Sequence, residues 1–155
     1  MRTDTRLSRM LHVLIHMDRH QQSATSDTLA QMLGTNPVVV RRTMALLKER
    51  GYVTSEKGHR GGWTLSKPLS EMTLLDIHQA LGSTSIFAIG LSTDHPQCLV
   101  EQAVNGALTD AFDEAQALLL KRLGAITLAQ LAEDFDARFR QVCAEDGADP
   151  SQMGH

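Results

Sequence analysis

The side chains best able to do chemistry fall in three places. His12, His16 and His20 recur at every fourth position. On a helix they share one face, and two imidazoles at that spacing can hold a metal ion. Apart from Asp18, no acidic or cysteine ligand stands close to them in sequence, so the leading reading is structural or solvent-facing histidine. Cys98 follows His95 by three residues. A thiol in the first turn of a helix is drawn toward its thiolate by the helix dipole, which would suit a redox or electrophile switch. A small buried apolar cysteine is the equally open reading. The third place is Gly58 to Lys67, GHRGGWTLSK, where three glycines surround Arg60 ahead of the only tryptophan. A thiol enzyme using Cys98 and His95 would also need a group to orient the base and an oxyanion site. No spacing supplies either. There is no phosphate loop, nucleophile elbow or paired metal-ligand motif, and the chain reads as a non-enzyme.

The elements that must position these residues begin with a chain of 155 residues, enough to bury a core. No apolar run approaches the roughly 18 residues of a membrane span, and Met1 to Met10 lacks a signal-peptide core. Cys98 and Cys143 are too few and too far apart for a disulfide framework. The expected setting is the cytoplasm, with reduced thiols. The net charge of −3 hides a division. Residues 1–67 carry eleven Lys/Arg against five Asp/Glu, and residues 68–155 carry four against thirteen. A basic module on an acidic body suggests an end that faces a polyanion.

Leu7, Met10, Leu11 and Leu14 predict a helix over residues 4–19. A second helix is expected over Asp27 to Leu33, with Ser26 as N-cap and Gly34 closing it. The third has Asn36 as N-cap, Pro37 in the first position and Gly51 as its stop. Val40, Met44 and Leu47 form its inward stripe, leaving Arg41, Arg42 and Lys48 on other faces. Two short helices, the second basic, read as a helix-turn-helix. Tyr52 to Ser55 and Trp63 to Ser66 then read as paired strands, with EKGHRGG between them as a glycine-rich hairpin. Arg60 would ride on the tip of that thin ribbon, the design of a winged helix-turn-helix. Arg41 and Arg42 are the candidates for base edges, Val38 and Val39 for thymine methyls, and Lys57, His59 and Lys67 for phosphates.

Thr35 to Pro68, TNPVVVRRTMALLKERGYVTSEKGHRGGWTLSKP, resembles the recognition helix and wing of the Rrf-two family of bacterial transcription regulators. The likeness extends through MTLLDIHQAL to a long C-terminal helix. It implies a homodimer on a pseudo-palindromic operator in double-stranded DNA, with Asn36 and Pro37 at the entrance of the major groove and Arg60 in the minor groove. Cluster-binding members of that family carry three closely spaced cysteines near the start of the long helix. Only Cys98 stands there in this chain, so no iron–sulphur cluster or other cofactor is expected.

Downstream, Thr73 and Asp76 make a capping-box pattern for a short helix that ends before Gly82. Residues 83–94 read as a connector. Asp94 or His95 should cap a long helix over Cys98 to Arg122, with Pro96 in its first turn. Ala103, Ala107, Ala111 and Ala115 form a row of small residues beside Val104, Leu108 and Phe112, suited to close approach by another helix. Thr127 and Gln130 repeat the capping pattern for a last helix.

The expected architecture is mainly α with a small β-hairpin. Residues 1–67 form a winged helix-turn-helix domain, 68–97 a short helix and connector, 98–143 the dimerisation and sensing helices, and 144–155 a disordered tail. The function read from this is a homodimeric, sequence-specific repressor, thiol-responsive through Cys98 and His95. The alternatives are a metal- or small-ligand-responsive regulator of the same fold, a protein-docking winged helix, and the thiol enzyme weighed above.

Overall fold

The computed structural model describes residues 4–59, 61–82 and 86–146. Helix α1 spans Arg6–His20, α2 Ser26–Leu33 and α3 Pro37–Glu49. Strands β1 (Val53–Glu56) and β2 (Gly62–Leu65) follow, then a 3-10 turn at Leu69–Glu71, α4 (Leu74–Ala80), α5 (Leu99–Gly124) and α6 (Leu128–Asp146). The chain is thus mainly helical with one two-stranded antiparallel sheet among the described residues.

Helix α1 buries Met10, Val13, Leu14 and Met17, the spacing of a single helical stripe. This stripe meets Leu29 of α2, Val40, Met44 and Leu47 of α3, Val53 of β1, Ile77 of α4 and Leu128 of α6 in one core. Each such side chain contributes about 1.5–3 kcal/mol by leaving water. From the outside, Arg19 fastens α1 to α6. Its guanidinium donates to the Ala132 carbonyl at 3.0 Å, pairs with Asp136 and lies over the Phe135 ring.

The helix ends follow capping chemistry, with two departures from expectation. Thr25, not Ser26, caps α2, its hydroxyl accepting from the Thr28 N–H at 3.1 Å. Ser26 Oγ is otherwise engaged, accepting from the Trp63 indole N–H at 3.0 Å. Both expected capping boxes form, Thr73 with Asp76 and Thr127 with Gln130. Cys98, not Asp94 or His95, is the N-cap of α5, and Pro96 lies ahead of the helix. The Cys98 N–H donates to the His95 carbonyl at 2.9 Å, closing a turn in which proline holds its favoured second position.

Gly51 ends α3 at φ +80°. Its N–H reaches the Lys48 carbonyl while the Tyr52 N–H reaches that of Leu47, the paired bonds of a Schellman stop. Tyr52 therefore belongs to the helix terminus, and the strand starts at Val53. Both strands lie one residue from their expected bounds, in the register Val53–Leu65 to Glu56–Gly62. Helix α6 continues to Asp146, past the expected end of the C-terminal helices at 143. The rest of the expected disordered tail, 147–155, lies outside the described residues.

Helices α4 and α6 are joined at their starts by backbone. The Leu74 N–H donates to the Ile126 carbonyl at 3.0 Å, and the Leu128 N–H donates to that of Met72 at 2.8 Å. Helix α5 runs between them and contributes no buried residue. Along its first half lies the connector, held by Asn105 Nδ2 donating to the Ser92 carbonyl at 2.8 Å and by stacking of Phe87 on Phe112.

Candidate nucleic-acid interface

The interface is built outward from α3. Asn36 Oδ1 accepts the Val38 N–H at 2.8 Å, and Pro37 opens the helix without losing a backbone bond. The buried stripe through Val40, Thr43, Met44 and Leu47 turns the opposite face to solvent. On that outer side Val38 and Val39 are 43% and 45% exposed, and Arg41 and Arg42 extend into water. Neither arginine has a hydrogen bond or ion pair among the described residues, so each can reach for a ligand without breaking an internal contact.

The wing is fixed to this helix and to the turn before α2. Lys48 Nζ donates to Ser55 Oγ at 2.7 Å, tying α3 to β1. Thr54 and Thr64 hydroxyls meet across the strands at 2.8 Å. The backbones of Ala24 and Trp63 exchange two hydrogen bonds, 3.1 and 2.8 Å long. A Cβ on Gly62 would stand 2.8 Å from the Ala24 carbonyl oxygen, and one on Gly61 would strike that of Glu56. The glycines after the tip therefore let the ribbon close on itself and on the α1–α2 turn.

Lys57 and His59 are exposed at the hairpin's turn. Arg60, the expected minor-groove residue, lies outside the described residues. Lys67 follows β2, its ammonium 5.4 Å from the centre of the Tyr52 ring. Tyr52 is held protonated, its pKa raised by burial and then by nearby Asp76. Reading the sequence missed Lys48, Ser55, Ala24 and the Trp63–Ser26 bond as positioning elements. A lone half-buried tryptophan, whose indole N–H needs an acceptor, was the available signal.

Cys98 and His95 stand apart from this surface. Both are exposed ahead of α5, and the bond between them is a backbone one. The Cys98 side chain makes no capping bond. His12, His16 and His20 share a face of α1 as expected, with ring centroids 4.6 and 6.1 Å apart in succession. The pKa of His16 is lowered, first by burial and then by repulsion from His12 and His20.

An exposed basic helix, a ribbon beside it and a long helix leaving the body are the parts of a winged DNA-binding regulator. The family model for Rrf2, described as an iron-dependent transcriptional regulator, matches residues 3–134. The chain belongs to the Rrf2 family. The inferred HTH-type regulator YwnA of Bacillus subtilis is 31% identical over 128 residues, covering 81% of this chain and 92% of YwnA. The structure of an inferred transcriptional regulator from Lactobacillus plantarum superposes with a TM-score of 0.74 at 26% identity, covering 94% of this chain and 99% of that one. CymR, the global cysteine regulator of Bacillus subtilis, shares the fold at a TM-score of 0.58 and 19% identity, over 86% of this chain and 97% of CymR.

This Rrf2 chain is accordingly a DNA-binding transcriptional regulator and not an enzyme. Among the described residues the donors do not assemble into a set for the iron named with that family. Cys98 stands at the N-cap of α5 and Cys143 on α6. Among the described residues no three His, Cys, Asp or Glu side chains group to hold a metal ion. No helix there is long and apolar enough to cross a membrane.

Lys57→Ala is expected to weaken binding equally on specific and random duplexes and to lower the salt slope by about one counterion. Fluorescence anisotropy across a salt series reads both quantities. Selective loss on one sequence would instead make Lys57 a base-reading residue.

Proposed function

We propose that this protein is a homodimeric repressor in the cytoplasm that reads a pseudo-palindromic operator. Helix α3 enters the major groove, with Arg41 and Arg42 at base edges and Val38 and Val39 toward thymine methyls. Asn36 and Pro37 stand at the groove entrance. Arg60 enters the minor groove, and Lys57, His59 and Lys67 meet phosphates. Residues 1–67 act as the DNA-binding domain, 68–97 as a short helix and connector, and 98–143 as the dimerisation and sensing part. The observation that carries the reading is the outer face of α3, two exposed valines beside two arginines that have no internal partner among the described residues.

A second copy is supported by α5, which has no fully buried residue while exposing Leu99, Val100, Val104 and Leu118. An apolar surface of this extent on a helix calls for a partner. Thiol control is supported by the exposure of Cys98 at the N-cap of α5, where oxidation to a sulfenic acid would alter the start of that helix. No iron–sulphur cluster or other cofactor takes part.

Selection from a pool of random duplexes identifies the operator, expected as two half-sites about one DNA turn, roughly 34–36 Å, apart. Wild type and Cys98→Ser are then treated with peroxide and assayed on that duplex. Release by wild type and retention by Cys98→Ser is the expected result. The same response from both removes Cys98 from signalling, and recovery of no motif removes sequence-specific reading.

A further inference from the structure

A groove of about 660 Å³ opens between α1 and α2, away from Cys98. Its volume is that of a small-molecule site. One wall carries His12, His16 and His20, and Met17, Leu29 and Met32 supply an apolar surface. Gln22, Thr28 and Gln31 add neutral polar groups, and no carboxylate lines it among the described residues. Three imidazoles with no carboxylate among the described lining residues can donate hydrogen bonds to an anion, and the thioether and leucine surface suits a hydrocarbon body. The absence of a three-ligand group among the described residues argues against a metal ion as occupant.

We propose that this groove binds a small amphipathic organic anion, a carboxylate on an apolar body, and that its occupation is transmitted to the wing. The transmission rests on the regulator reading above. The groove is also lined by Ser23, Ala24 and Thr25. Ala24 is the residue whose backbone pairs with Trp63, and Ser26 accepts the Trp63 indole N–H. A ligand that favours one position of this turn over another therefore biases the wing.

Protonation gives the site a signature. The ionisable groups that act on His16 are His12 and His20. Among the described lining residues the α1–α2 turn and α2 bring only neutral side chains to the groove, while on α6 Phe135 faces the ring and Asp136 pairs with Arg19 of α1. Burial and the two neighbours disfavour the imidazolium of His16. An anion placed against it reverses that preference, so binding draws in a proton.

The test is calorimetric titration of the full chain with naphthalene-2-carboxylate and with the uncharged naphthalene-2-carboxamide. The carboxylate is expected to bind saturably and roughly tenfold more tightly than the amide, the scale of a charge-assisted hydrogen bond. Its heat should depend on the buffer's ionisation enthalpy. His16→Gln should remove both the preference and the buffer dependence. His12→Gln, at an exposed position, should reduce the preference in a variant whose folding is not at risk. No saturable binding, or equal binding of acid and amide, overturns the site. Operator affinity is then measured with and without the carboxylate in wild type and in Trp63→Phe, which keeps an aromatic side chain, smaller than the indole, and loses the N–H that Ser26 accepts. A ligand effect in wild type that shrinks in Trp63→Phe supports transmission, and an undiminished effect overturns it. Failure of the ligand-free protein to bind its operator overturns the regulator reading and the transmission with it, while the calorimetry decides the groove separately.

Discussion

Arg41→Ala and Arg42→Ala should each lower operator affinity by about 1–3 kcal/mol, roughly 5- to 150-fold, where the arginine bonds guanine O6 and N7 together. Base preference at the contacted position should relax in the same variant. The expectation follows from placement. Both side chains leave the outer face of α3, neither has an internal partner among the described residues, and the helix is held by Met44 and Leu47 on the other side. Truncation therefore costs little stability, and circular dichroism should give an unchanged melting temperature. Competition between the selected duplex and single-base variants separates the two arginines. If both variants keep wild-type affinity and preference, base reading lies elsewhere on α3 or in the wing.

A larger loss is expected from Val104→Asp combined with Leu108→Asp. These residues are 51% and 36% exposed in the single chain, so charge there leaves the core of the protomer alone. In the proposed dimer the same positions lie in an apolar seam, where two carboxylates per helix would be stripped of water. Sedimentation should report monomers. Operator affinity should fall by about 10²–10⁴, because joining two half-site readers makes the second contact intramolecular. A variant that stays dimeric would move the seam to Leu118 and the C-terminal half of α5.

Much of this fold was legible because its punctuation is local. Asn36, Pro37 and Gly51 bound α3 through contacts within a few residues, and the boxes at Thr73–Asp76 and Thr127–Gln130 are equally short-range. The misplaced features were decided at a distance or by competing bonds. Thr25 and Ser26 are both good caps, and the choice turns on Trp63, 37 residues away from Ser26. Tyr52 suits a strand, yet its N–H is taken by the stop of α3. The delayed start of α5 follows from the turn around Pro96 and from Glu101, whose carboxylate accepts the His95 N–H at 3.1 Å. The basic face of α3 followed from helical period and charge alone. The groove beside the three histidines did not, because its other wall comes from α2 and the preceding turn.

The short backbone ladder where α4 and α6 begin gives α5 the mechanics of a cantilever. One end is rooted next to those bonds, at Gly124, where α5 packs beside α4, and the shaft runs to Cys98 with no fully buried residue of its own. Over 26 residues that shaft is about 39 Å long. A tilt of about 5° at the root sweeps the far end through roughly 3 Å, and a push at the far end acts on the root with the same leverage. Small disturbances near Cys98 thus reach the body as torque, and the stiffness that decides how much arrives resides in the packing of α5 beside α4 and in the few residues from Met72 to Leu74 and from Ile126 to Leu128.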